Sequence, residues 1–172
     1  MPYKILVPID QSVQSRKIFE QISKFLRPEE NNLILFQVIP PTLEKIEIPP
    51  AYAGSEWTPA AYEYFEKKRE LSHEAFLEQQ EELREKLVHA LDEEAKALRA
   101  EGYQVEAIVE FGDTVEQIEV QIQQQHIDLV AMTTHGREGI NRVFHGSVSG
   151  KIVHDLNVPV LLLHPPSTSA AK

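Results

Sequence analysis

Ile127-Asp128-Leu129-Val130-Ala131-Met132-Thr133-Thr134-His135-Gly136, then nine residues, then Gly146-Ser147-Val148, is the stretch that decides how this chain folds. The apolar run Ile127 to Met132 reads as a buried strand. Val148, Ile152, Val153 and Leu156 follow at helical spacing. A strand, a glycine-punctuated loop and a helix that opens at Gly-Ser can form a phosphate cradle. Glycine lets backbone N–H groups come close to an anion, and a helix N-terminus adds unpaired donors. The same residues also suit an ordinary strand–loop–helix connection, and the local sequence leaves both readings open.

Working outward, the pattern repeats. Lys4 to Ile9 reads as a buried parallel strand that ends at Asp10. Ser12 then caps a helix carrying Ile18, Phe19, Ile22, Phe25 and Leu26, closed by Pro28. Leu33 to Ile39 is a second strand. Residues 41 to 61, with Pro41, Pro49, Pro50, Tyr52, Trp57 and Pro59, read as a long irregular loop. From about Ala60 to Ala100 the composition is helical, and Phe76, Leu83, Leu87, Leu91 and Leu98 form an apolar stripe expected to pack on the sheet. So long a helix is expected either to break or to protrude. Gly102 caps it. Val105 to Val109 is a third strand, and Gly112-Asp113 turns and caps a helix marked by Val115, Ile118 and Ile122. Ile127 to Met132 is the fourth strand. The last helix ends near Asn157, and Val158 to Leu163 is the fifth strand. The expectation is one domain over 1–165, with a loop insertion at 41–65 and a disordered tail at 166–172.

Alternating strands and helices predict an α/β fold, a parallel sheet with helices on both faces. In such sheets ligands bind at the carboxyl ends of the strands, where strand order switches. Asp10 and the Thr133 to Ser147 loop both fall at carboxyl ends.

These segments resemble the universal stress protein family. Its first strand ends in Val-Pro-x-Asp, matched by Val7-Pro8-Ile9-Asp10, and its last strand resembles Asn157 to Leu163. Its nucleotide-binding members carry Gly-x2-Gly-x9-Gly-(Ser/Thr). Gly136, the spacer and Gly146-Ser147 match, with Thr133 in place of the first glycine. The resemblance implies a Rossmann-like, adenine nucleotide alpha hydrolase-like fold, a five-stranded parallel sheet in order 3-2-1-4-5. It also implies an ATP site with Mg2+ on the phosphates, built from Pro8, Ile9, Asp10, Val38, Met132, Thr133, His135, Gly136, Arg137, Gly146, Ser147, Val148 and Ser149.

Each residue has a plainer role as well. Asp10 suits a hydrogen bond to adenine or ribose, or a place beside a metal, and equally a helix cap. Val38 suits adenine contact or plain core. Ser147 and Ser149 suit phosphate or capping. Arg137 and Arg142 suit phosphate or solvent, and His135 shapes the loop. Thr133 would crowd a position that needs positive φ and is harmless in an extended one.

Composition narrows the field. An apolar fraction of 42% with 26% charged residues is globular, and the chain has no cysteine for a disulfide or thiolate site. No apolar run approaches a membrane span and no secretory leader opens the chain, so a cytoplasmic setting is expected. Net charge is −10, with acidic residues concentrated between Glu66 and Glu101, which disfavours nucleic acid and anionic membranes. The seven histidines are scattered, without metal-ligand spacing. Gly146 to Lys151 falls one residue short of a Walker A loop. No catalytic base stands out, so the expectation is no enzyme beyond weak ATP hydrolysis: an ATP-dependent switch or sensor in stress response. The alternatives are a protein of the same type acting through protein contacts without nucleotide, or a slow nucleotidyl or phosphoryl transferase using Asp10 and Ser147. Strand 158–163, apolar on both faces, is expected to pair two copies at a sheet edge.

Overall fold

The computed structural model describes residues 1–10, 12–40, 59–133 and 148–163. They contain β1 (Tyr3–Pro8), α1 (Val13–Arg16), α2 (Phe19–Phe25), β2 (Asn31–Ile39), α3 (Pro59–Ala100), β3 (Gln104–Phe111), α4 (Thr114–Gln125), β4 (Leu129–Thr133), α5 (Val148–Asp155) and β5 (Val160–Leu163). The five strands form one sheet in the order β3-β2-β1-β4-β5. Every pairing is parallel. The chain falls into two compact units, Met1–Pro41 with Val88–Lys172, and Thr42–Leu87. The sheet belongs to the first.

A right-handed crossover fixes which face each helix covers. The chain steps one way from β1 to β3, then reverses from β3 to β4 and β5, so the connecting helices change face. On one face Leu6, Ile34, Phe36, Val130 and Met132 pack with Ile118 of α4, Ile127 and Ile152 of α5. The alternate residues Ile5, Val7, Leu33 and Leu35 are equally buried and point to the opposite face. Ile18 and Ile22, together with Leu91, Ala95 and Leu98 of α3, supply further buried side chains.

Local chemistry sets the boundaries. Asp113 caps α4, its Oδ1 accepting from Val115 N at 2.9 Å and Glu116 N at 3.2 Å. His126 ends that helix in the left-handed region at φ 54°. Gly102, at φ +102°, ends α3, as an L side chain would resist doing. At the start of β4, Asp128 Oδ2 accepts from Lys4 N at 2.8 Å while Asp128 N donates to Lys4 O at 2.9 Å. That reciprocal pair ties β4 to β1 at the amino end and fixes the register Ile5 to Leu129.

Three expectations change. The helix after Ser12 is two short pieces, joined by a tight turn in which Ile18 N donates to Ser15 O. Phe25 at its end is exposed, so it does not continue the apolar stripe. Residues 59 to 65 belong to α3, which starts at Pro59 and shortens the irregular stretch. Proline suits that first turn, where its missing N–H has no partner to lose. The stripe on α3 is buried only at Leu91 and Leu98; Leu83 is exposed. The acidic run is exposed and laced with ion pairs such as Lys86–Glu82 and Lys96–Glu93, both at 2.6 Å. The tail and most of the irregular stretch, Trp57 included, lie outside the described residues.

Tyr103 locks the amino pole. Its hydroxyl donates to the Leu26 carbonyl, joining the start of β3 to the end of α2. Burial first, then the Glu101 and Glu29 charges, push its pKa above 10.0. Folding therefore favours the neutral phenol. Its contribution is complete below pH 10.0 and disappears as pH rises through the folded-state value. Tyr103→Phe should cost about 0.5–1.5 kcal/mol in urea unfolding, by stranding the Leu26 carbonyl. The difference from wild type should narrow at strongly alkaline pH; a constant difference across that range would break the assignment.

Candidate functional site

The sheet reverses its strand order between β1 and β4, and the carboxyl ends of these two strands define the crevice. Pro8 ends β1 and Thr133 ends β4. Ile9 continues the line of β1, its N–H donating to Phe36 O at 2.8 Å, and its side chain is buried. Val38, two residues further along β2, is half-buried against the apolar cluster that includes Met132. Pro8, Ile9, Val38, Met132 and Thr133 thus come together at one pole of the sheet, as the sequence suggested. Val148 and Ser149 open α5, with Val148 exposed and Gly150 buried behind them. His135, Gly136, Arg137, Arg142, Gly146 and Ser147 lie outside the described residues.

Thr133 has a definite conformation. It is in β4, paired with Leu163 of β5, and 93% buried. Among the described residues only His126 combines a side chain with positive φ. The backbone at Thr133 is therefore extended, which a β-branched residue adopts readily. Thr133 meets no conformational demand for glycine there.

Asp10 is held by its own loop. Its Oδ1 accepts from Ser12 N at 2.8 Å, an Asx turn. Ser12 Oγ accepts from Ser15 N at 3.1 Å and so caps α1. Ser15, 4% exposed, is the buried hub: its hydroxyl lies 3.1 Å from Asp10 O and 3.0 Å from Ser12 O, and accepts from Asp10 N at 3.3 Å. Arg16 Nη1 donates to Asp10 O at 2.6 Å and Ser12 O at 3.2 Å. Its Nε donates to Glu94 of α3. Asp10 as a residue is exposed, two residues beyond the end of β1. Sequence reading missed Ser15, Arg16 and Glu94. The spacing Ser12-x2-Ser15-Arg16 was the available sign for the first two; Glu94 carried none, being one of many acids on a long helix.

An order switch in a parallel sheet, with Asp10 two residues beyond the end of β1 and Thr133 at the end of β4, marks a doubly wound α/β domain. The chain belongs to the universal stress protein family, whose family model matches residues 1–164. It is 28% identical over 160 residues to the universal stress protein Sll1388 of Synechocystis, spanning 93% of this chain and 96% of that one. It is 24% identical over 161 residues to the universal stress protein MJ0577 of Methanocaldococcus jannaschii, spanning 93% of each. The solved structure of MJ0577 superposes with a TM-score of 0.61, covering 98% of this chain and 99% of that one at 23% identity. A crystal structure of a universal stress protein in complex with cAMP matches with a TM-score of 0.56 at 16% identity, covering 95% and 97%.

The Asp10 loop gives a separable prediction. Asp10→Ala removes the acceptor for Ser12 N and should lower stability by about 0.5–1.5 kcal/mol, the net worth of one hydrogen bond. An unchanged melting temperature would show that the Asx turn does not support α1.

Proposed function

We propose that this protein binds ATP, with Mg2+ on the phosphates, and acts as a nucleotide-dependent switch or sensor in stress response. Turnover is at most slow. The observation that carries the reading is the convergence of Asp10 and the end of β4 on one crevice at the order switch. The chain leaves β4 there through the Gly136-x9-Gly146-Ser147 sequence. In this reading Pro8, Ile9, Val38 and Met132 line the adenine side. Asp10 takes a hydrogen bond from adenine or ribose. Gly136, Gly146, Ser147, Val148 and Ser149 cradle the phosphates, with His135 and Arg137 beside them. The extended backbone of Thr133 supports the reading, because the departure from the family's glycine costs no conformation. The cAMP held by a structural neighbour supports an adenine nucleotide as the ligand class. Mg2+ offsets the −10 charge of the chain against a polyphosphate.

A second reading, contact with other proteins and no nucleotide, is favoured by the Asx turn that occupies Asp10 Oδ1. Mass spectrometry of ligand retained by natively purified protein separates the two, together with calorimetry against ATP, AMP and cAMP with Mg2+. Retained adenine nucleotide supports the first reading. No ligand and no affinity supports the second. Turnover of a defined second substrate would instead support a transferase. Gly146→Val should abolish ATP binding with the fold intact, by blocking backbone approach to the phosphates; wild-type affinity would sink the cradle.

The site works in a homodimer in this proposal, in the cytoplasm, with a further protein receiving the signal. β5 is a sheet edge made of Val160, Leu161, Leu162 and Leu163, all half-buried in the single chain. An open edge with apolar side chains templates pairing with another copy. Val160→Lys with Leu162→Lys should convert a dimer into a monomer by light scattering. A monomeric wild type, or an unchanged dimer in the double variant, would remove strand pairing from the proposal.

A further inference from the structure

One guanidinium ties α3 to the mouth of the crevice. Arg16 Nε donates to Glu94 Oε2 at 2.8 Å and Oε1 at 3.0 Å. From the same side chain, Nη1 donates to the carbonyl oxygens of Asp10 and Ser12. Those carbonyls are two residues apart, on either side of the turn that presents the Asp10 carboxylate. Both partners of the ion pair are 30% exposed, so solvent screens their attraction and the charge alone contributes little to stability. What the pair supplies is orientation. A free arginine samples many rotamers; one gripped by a carboxylate presents a fixed fork of donors. Ser15 holds the inside of the turn, and Arg16 holds the outside only while Glu94 holds Arg16.

We propose that Glu94 is a positioning residue for the crevice. It acts through Arg16 to fix the Asp10 turn, and so couples occupancy of the site to the last turns of α3. The ligand in this inference rests on the nucleotide reading; the positioning of the turn does not. Coupling of this kind is reciprocal. A ligand that orders the Asp10 turn must steady the Arg16–Glu94 pair, and a change in α3 at Glu94 must alter affinity. The long helix thereby becomes the part of the molecule on which occupancy can be read.

The test uses the full chain with Glu94→Ala, and with Glu94→Gln as the milder change should Ala impair folding. Hydrogen exchange of residues 10–16 is first measured without ligand. The variants should exchange several-fold faster there, with β1, β2 and β4 unchanged. Calorimetry with ATP and Mg2+ should then show affinity about fivefold or more weaker. In an Asp10→Ala background the same Glu94 change should cost markedly less, because its route has been removed. A merely structural ion pair would lower the melting temperature without this non-additivity. Unchanged exchange at residues 10–16, or an equal affinity loss in both backgrounds, overturns the proposal. If the wild type binds no adenine nucleotide, the functional reading falls, and the exchange result alone upholds or overturns the positioning role.

Discussion

Everything in this domain depends on β1 being buried on both faces and paired on both edges. Ile5, Leu6 and Val7 are at most 1% exposed. β2 takes one edge and β4 the other. A central strand of this kind cannot alternate polar and apolar residues, so it reads as a continuous apolar run. It also compels the chain to leave β1 in one direction, and to return past it when it reaches β4. Handed crossovers then put helices on both faces and leave the carboxyl ends of β1 and β4 without a connection crossing between them. The crevice follows from strand order. It needs no special residue, which is why chemistry can be varied on the loops around it.

The two ends of the sheet carry different duties. At the amino pole the contacts are locking ones: Asp128 with Lys4, and Tyr103 with the Leu26 carbonyl. Each gives a backbone group a side-chain partner. At the carboxyl pole the polar groups vary in depth: Ser15 is 4% exposed. Asp10 is exposed, and the Arg16–Glu94 pair is partly open to solvent.

Sequence revealed most of the fold because its signals were local and redundant. The five apolar runs, Asp113 as a cap and Gly102 as a stop each had one physical reading, and the structure agrees with all of them. Strand order was legible only through resemblance, since a periodicity does not say which strand is whose neighbour. The misreadings fall where burial depends on distant packing. Phe25 and Leu83 have the right spacing, yet each is exposed. Of the candidate site, the resemblance named residues that the structure places at the ends of β1, β2 and β4, while Gly136, Gly146 and Ser147 lie outside the described residues. It passed over Ser15 and Arg16, although their spacing from Ser12 marked them, and had no sign of Glu94, which contacts a four-residue helix 78 positions away. No local pattern encodes such a contact.

The sheet's two edges also differ, and the difference gives the molecule a direction. β3 places Glu106 and Glu110 along its length, and Arg99 donates to its Val105 carbonyl at 2.8 Å. Charges and a side chain bonded to the backbone discourage another strand from adding there. Among the described residues β5 has neither device: four apolar residues in a row stand at the opposite edge. A parallel sheet with two open edges would add copies without limit. With one edge blunted, pairing through the other would form a closed two-fold assembly and stop. β5 is also joined directly to β4, with Thr133 opposite Leu163. The edge strand β5 is therefore the neighbour of the strand whose carboxyl end lies at the order switch. One strand separates the order switch from the β5 edge, and the Arg16–Glu94 pair joins the Asp10 turn to α3.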